Sequence, residues 1–253
     1  RKPTGLIDVA VLQRLSRKGV VDEIVSQYGH VIVDECHHLP AFSFEQIARQ
    51  TKAKYITGLS ATITRKDGHH PIILMRCGPV RYRVDAKAAA LSRPFEHTVL
   101  VRPTSFAPTK MANKDGRLKF HELYEEIVQD EIRNQLICSE VISAVQRGRS
   151  PIILTERNDH LDRLFKKLSP HIQHLIVLRG GMRVKEIKIT TEQLNNIPPN
   201  EPRAILATGK FVGEGFDDAR LDTLFLTMPV SWKGTIAQYV GRLHRFYDSK
   251  QEV

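Results

Sequence analysis

No stretch of this sequence approaches the roughly 20 consecutive apolar residues that a membrane-spanning helix needs, and no signal-like segment stands at its start. Cysteine is scarce. Cys36, Cys77 and Cys138 are isolated and form no C-x-x-C pair, which excludes a disulfide framework and points to a reducing, cytoplasmic setting. His37, His38, His69 and His70 cluster by type with Cys36. Three consecutive ligands cannot readily wrap one tetrahedral zinc ion, however, and zinc sites space their ligands more widely. Internal repeats and low-complexity tracts are absent. So is G-x-x-x-x-G-K-[ST], the loop whose backbone amides cradle phosphates. Thr208-Gly209-Lys210 comes nearest, but Phe211 replaces the hydroxyl residue and no glycine has the required offset.

What remains is a globular composition with a basic balance. The 253 residues suffice for one large or two ordinary domains, with 41% hydrophobic and 26% charged residues. The formal net charge of +10 suits a polyanionic partner, because Lys and Arg release counterions from a phosphate backbone. Many proteins without such a partner share that balance, so it is only one contribution.

The most informative stretch is Val31-Ile-Val-Asp-Glu-Cys-His-His38. An apolar run ending on two carboxylates reads as a buried strand that delivers Asp34 and Glu35 at its carboxyl end, where open α/β sheets place ligand chemistry. Asp34 can hold hydrated Mg²⁺, which takes oxygen ligands and usually one or two carboxylates. Glu35 can orient or deprotonate a water for attack on a γ-phosphate. A strand followed by an acidic loop is the plain alternative.

Later segments decide between them. Leu59-Ser-Ala-Thr62 follows a second apolar segment, Ile205-Leu-Ala-Thr208 runs into Gly213-Glu-Gly-Phe-Asp217, and Gln238-Tyr-Val-Gly-Arg242-Leu-His-Arg245 closes the series. Together these resemble motifs II, III, V and VI of the superfamily 2 helicases, with Asp34-Glu35-Cys36-His37 as a DExH-type box. Thr64-Arg-Lys-Asp-Gly68 leading to Cys77-Gly-Pro-Val80 is similar to the XPB-type and type III restriction-subunit DNA helicases. Ile63 departs from the proline that family carries after Ser-Ala-Thr.

The resemblance implies an α/β fold of RecA-like parallel sheets, with a partial first domain and a nearly complete second. Residues 1–90 would be the back half of the first domain, 91–149 a linker or insertion with one strand and helices, and 150–253 the second domain. In the family the phosphate loop lies well before the DExH box, so the expectation is a fragment that begins after it. Periodicity predicts strands over Ile7–Val11, Tyr55–Leu59, His97–Val101, Pro151–Leu154, His174–Leu178, Arg203–Ala207 and Asp222–Thr227. It predicts helices over Val20–Gln27, from the Ser43-x-x-Gln46 capping pattern to Thr51, one or two between Leu118 and Arg147, and one capped by Asn158 and ended by Pro170. Gln238, Arg242 and Arg245 stand at i, i+4 and i+7 of a predicted helix and so share one face; a solvated basic face is the alternative.

The resemblance also assigns roles. Arg242 and Arg245 would be arginine fingers and Glu35 the base; Asp34, through water, would hold Mg²⁺. His37, Gly215, Asp217 and Gln238 would line the nucleotide cleft between the domains. Ser60 and Thr62 would couple the ATP state to domain closure, and Gln13, Thr155, Thr208 and Gly209 would lie along nucleic acid. Gln13 also fits a surface helix start, and the Gly213–Asp217 loop a tight surface turn. The implied activity is ATP-driven movement on or unwinding of DNA, at a single strand or duplex junction. ATP and Mg²⁺ would be the cofactors, with nuclease, restriction or repair domains as candidate partners and no membrane. The chain alone would be inactive for want of the phosphate loop. An RNA helicase or restriction translocase is the alternative within enzymes, and a non-enzymatic nucleic-acid-binding module the alternative outside them.

Overall fold

The computed structural model describes residues 3–17, 20–36, 41–60, 70–85, 88, 91–109, 120–209, 218–230, 233–248 and 250–253. The chain divides into two compact units, Arg1–Asp85 and Ala86–Val253.

In the first unit, α1 (Leu12–Leu15) precedes a short antiparallel pair, β1 (Ser16–Arg17) and β2 (Val20–Val21), and a 3-10 turn over Glu23–Ser26. Asp22 caps that turn by accepting from the Ile24 amide, and Val21 and Val25 bury against Ile47. The helix expected over Val20–Gln27 is therefore a strand end and one tight turn. β3 (His30–Val33), α2 (Ala41–Gln50), β4 (Tyr55–Gly58) and α3 (His70–Cys77) follow. β3 and β4 pair in parallel, His30 opposite Tyr55 and Val33 opposite Gly58, as the strand–helix–strand spacing implies. α2 starts two residues before Ser43, so Ser43 is not its cap.

Two expectations for this unit fail on burial. Ile7–Val11 forms no strand, and Val9 is 98% exposed. The Asp8 carboxylate instead accepts from the amides of Thr4 and Gly5 and from the Tyr28 hydroxyl, a local set of bonds that competes with pairing. These bonds hold the Asp8 carboxyl down at about 2, with Tyr28 the largest cause. β3 is not buried on both faces either, since Ile32 is 61% exposed. In this two-stranded sheet the residues alternate exposed and half-buried.

The second unit opens with α4 (Phe120–Gln129) and α5 (Glu131–Gln146), so the helical periodicity from Leu118 to Arg147 is two helices. They separate at Asp130, which caps α5 by accepting from the Arg133 amide. Past the end of α5, Gly148 takes φ +78°, a backbone conformation that favours glycine after a helix. β5 (Pro151–Thr155), α6 (Asn158–Leu168), β6 (His174–Leu178), α7 (Val184–Asn196), β7 (Arg203–Thr208), β8 (Thr223–Leu226) and α8 (Lys233–Leu243) complete the unit. Arg157, not Asn158, occupies the cap of α6, without a side-chain bond.

The four strands form one parallel sheet in the order β6-β7-β5-β8. β5 and β7 are buried throughout, which explains their unbroken apolar sequences. Alternate residues face opposite layers. Ile152, Leu154, Ile205 and Ala207 pack with Leu194 of α7 and with Tyr239 and Leu243 of α8. Ile153, Ala204 and Leu206 pack with Val141 of α5 and with Leu161 and Leu164 of α6. Each fully buried Ile or Leu contributes about 1.5–3 kcal/mol relative to exposure. The segment read as a strand at His97–Val101 forms none, and the single bridge there is made by the preceding Glu96, to Glu252. Among the described residues no helix is long and apolar enough to cross a membrane.

Candidate active site

In the first unit the candidate residues lie at the carboxyl end of β3. The Leu59 amide donates to Val33 O at 2.8 Å and the Cys36 amide to Leu59 O at 2.9 Å, so pairing continues past both strands. Asp34 and Glu35 turn outward between those two bonds and are both exposed. Glu35 has φ 47°, the single positive φ among the described non-glycine residues, and its amide donates to Asp34 Oδ1 at 2.9 Å. A left-handed residue without β-branching costs of order 1 kcal/mol and persists only where its surroundings fix it. Here the two flanking bonds and the Asp34 carboxylate fix it, and two carboxylates reach solvent side by side. Hard oxygen donors in that arrangement fit a hydrated divalent cation.

Behind the pair, burial and the facing Cys77 push the Cys36 thiol up to about 11. Ser60 follows β4 and is half-buried. Gln13 falls within α1 and not past a strand. His37 and Thr62 lie outside the described residues, as do Gly215 and Asp217.

In the second unit the candidate residues lie at the carboxyl edge of the four-stranded sheet. Thr208 ends β7, and its hydroxyl accepts from the Gly180 amide at 2.8 Å, tying the loop after β6 to β7. Gly209 is buried under Tyr239 and Glu156: a Cβ there would stand 2.3 Å from the Tyr239 hydroxyl and 2.5 Å from Glu156 Oε1. Burial, with the Glu156 carboxylate nearby, pushes the Tyr239 phenol up to about 12. Thr155 is a correction. It is 1% exposed, and its hydroxyl is shared between His160 Nδ1 at 2.9 Å and the Arg157 amide at 3.3 Å. Both of its hydrogen-bonding roles are used inside the unit, so it offers nothing to nucleic acid.

On α8, Gln238 and Arg242 sit four residues apart, and Arg242 is half-buried. The helix ends at Leu243, so Arg245 stands two residues beyond it and does not share the helical face. Arg245 is exposed, on main chain that Lys250 holds. Reading the sequence for motifs passed over Lys250, Tyr239 and Glu156. Only Tyr239, apolar-facing beside Gln238, carried a signal.

The chain was compared with known proteins. The model of the family described as type III restriction enzyme, res subunit, matches residues 4–65, a stretch that contains Asp34, Glu35 and Ser60. A mimivirus protein (Acanthamoeba polyphaga mimivirus), "Putative ATP-dependent RNA helicase L396", is 26% identical over 251 residues, covering 94% of this chain and 44% of its own length. "DNA 3'-5' translocase XPB2" of Sulfurisphaera tokodaii is 33% identical over 69 residues, 27% of this chain and 16% of that protein. The chain is a relative of the superfamily 2 helicases. Among solved structures, Saccharomyces cerevisiae Dbp5 bound to RNA and ADP BeF3 superposes with a TM-score of 0.54 at 11% identity, covering 90% of this chain and 53% of that one. That likeness identifies the parallel sheets and their helices as RecA-like. This superfamily 2 relative spans about half the length of the curated relatives that match most of it, 44%, 53%, 47% and 42%.

Proposed function

We propose that this chain is part of an ATP-dependent helicase or translocase acting on nucleic acid. The observation that carries the reading is the outward Asp34–Glu35 pair at the end of a parallel strand, with Glu35 fixed at φ 47° and its amide bonded to Asp34. Asp34 would hold Mg²⁺ through water, and the ion would supply charge neutralisation to the triphosphate. Glu35 orients and deprotonates the attacking water. Arg242 and Arg245 supply permanent, bidentate charge to phosphate oxygens. His37, Gly215, Asp217 and Gln238 contact the nucleotide, while Ser60 and Thr62 couple its state to movement. Gln13 contacts the nucleic-acid track, and the buried Thr208 and Gly209 shape the sheet edge beside it. DNA is the proposed track, supported by the name of the Sulfurisphaera translocase. The mimivirus relative, which aligns along nearly the whole chain and carries RNA in its name, supports RNA as the second reading. The setting is cytoplasmic, with nuclease, restriction or repair domains as partners.

ATP turnover by the full-length protein, with and without single-stranded DNA or RNA, tests this. Stimulated turnover of about 1 s⁻¹ or above is expected, lost in Glu35→Gln. Turnover that ignores both nucleic acids would sink the motor reading, and stimulation by RNA alone would select the second one. The chain by itself, without the phosphate loop, should turn over no ATP. It should still bind nucleic acid with log affinity falling linearly in log salt.

A further inference from the structure

α8 ends with carbonyls that have no helical partner. A glycine past the last turn would ordinarily satisfy them, but here a distant amine does so. Lys250 Nζ donates to Leu243 O at 2.8 Å and to Arg245 O at 2.8 Å. The Lys250 side chain is 7% exposed and lies over the buried Phe95 ring, 5.7 Å from its centroid. Burying an ammonium is costly unless it is hydrogen-bonded, and a cation at a helix C-terminus is favoured by the aligned peptide dipoles. Two carbonyls and one ring face meet that cost.

The lysine is itself held. Glu96 donates its amide to Gln251 O at 2.9 Å, Val253 to Glu96 O at 2.8 Å and Thr98 to Val253 O at 2.8 Å. This pairs residues 251–253 with residues 96–98 of the same unit. Arg149 Nη1 meets Glu252 Oε2 at 2.9 Å, and Arg149 Nε donates to the Thr223 hydroxyl at 3.0 Å, anchoring the tail to β8. His97 stands edge-on to His244 with centroids 4.9 Å apart, and both rings lie close to Phe95. His244 lies between the two residues whose carbonyls the ammonium grips. The clasp is therefore centred on 243–245, the stretch that leaves the helix and carries Arg245.

We propose that Lys250 is the positioning residue for the Arg242 and Arg245 pair, fixing the main chain at the end of α8 so that both guanidinium groups meet phosphate in one geometry. A cap on Leu243 alone would end the helix. The second bond, to Arg245 O, sets the direction of a residue that the helix no longer holds. This rests on the reading of those arginines given under Proposed function.

The test is nucleic-acid-stimulated ATP turnover by the full-length protein carrying Lys250→Met, in wild-type and Arg245→Ala backgrounds, with thermal unfolding measured alongside. Lys250→Met should lower kcat about tenfold or more while the KM for ATP stays within about threefold, because charge that stabilises the transition state more than the bound triphosphate shows chiefly in kcat. In the Arg245→Ala background it should cost little further, because groups that act as a unit are non-additive. A purely structural lysine would instead cost the same factor in both backgrounds. Equal losses in both, or a kcat within about twofold of wild type, overturn the proposal. If Lys250→Met does not fold, Lys250→Gln, which keeps a donor, is read by the same two comparisons. An Arg245→Ala protein with wild-type turnover would refute the arginine reading itself. An inactive Arg245→Ala beside an unaffected Lys250→Met would refute the lysine alone.

Discussion

His160 Nε2 lies 2.9 Å from Asn134 Oδ1, joining the first turn of α6 to that of α5 inside the second unit. Asn134 Nδ2 donates to Val128 O at 2.9 Å, so its oxygen accepts from the imidazole. That leaves His160 Nδ1 to accept from the Thr155 hydroxyl. One neutral tautomer satisfies every partner. Burial, aided by the Arg133 charge, holds the imidazole down at about 4 from an ordinary 6.5.

Acid should therefore weaken this unit through His160. The folded ring binds its proton less readily than the unfolded one, so its contribution is complete above pH 6.5 and is lost as pH falls toward about 4. The full loss is about 3 kcal/mol. Urea unfolding midpoints between pH 7 and 4.5 should fall more steeply for the wild type than for His160→Gln, which cannot titrate but starts weaker at pH 7. Parallel slopes would contradict this account.

Gly209→Ala should destabilise the same unit, because the new methyl would stand 2.3 Å from a rigid, buried phenol hydroxyl. Overpacking of this kind costs about 1–3 kcal/mol. Adding Tyr239→Phe removes the clashing oxygen and should recover part of the loss in melting temperature. A Gly209→Ala protein that melts with the wild type would mean that the phenol moves aside freely.

How legible this was in the sequence depended on whether burial was decided locally. His174–Leu178 is a strand over the limits its apolar run predicts, and β5 and β7 follow the same logic, since both faces are covered by helices in the same unit. Ile7–Val11 and Ile32 misled because an apolar pattern signals burial only where something covers it. α7 was not foreseen: its sequence is largely polar, and Glu186 accepting from the Arg183 amide at 2.7 Å starts it. Asp34 and Glu35 were read from residue type and strand end, but not the positive φ of Glu35, which flanking backbone bonds impose. Arg245 was placed on a helix that stops short of it, because the bonds that shape that stretch come from Lys250 and, through the tail, from Glu96.

Asp218→Asn should be among the most damaging single changes. Arg203 Nη2 contacts both Asp218 oxygens, at 2.8 and 2.6 Å, and the two side chains are 3% and 11% exposed. Neutralising the acid leaves a buried guanidinium without its counter-charge, a loss of about 3–5 kcal/mol. Arg203→Met combined with Asp218→Asn should lose less than Asp218→Asn alone. Equal stability of the single and double variants in urea would show that the pair is solvated.

In the full-length protein, Glu35→Gln and Arg245→Ala should both cut hydrolysis by orders of magnitude, and nucleic-acid affinity in the presence of ATP separates their causes. Glu35→Gln preserves size and hydrogen bonding at the left-handed residue after Asp34 but removes the base. ATP should still bind, and affinity should be retained or tightened. Arg245→Ala removes charge stabilisation that is worth roughly 10³–10⁵ in rate in related nucleotide hydrolases, together with a contact to the bound triphosphate, so affinity with ATP should fall. If Arg245→Ala turns over within about threefold of the parent, far short of a finger's contribution, the exposed guanidinium beyond α8 is ordinary basic surface. Arg242, still on the helix, would then be the remaining candidate.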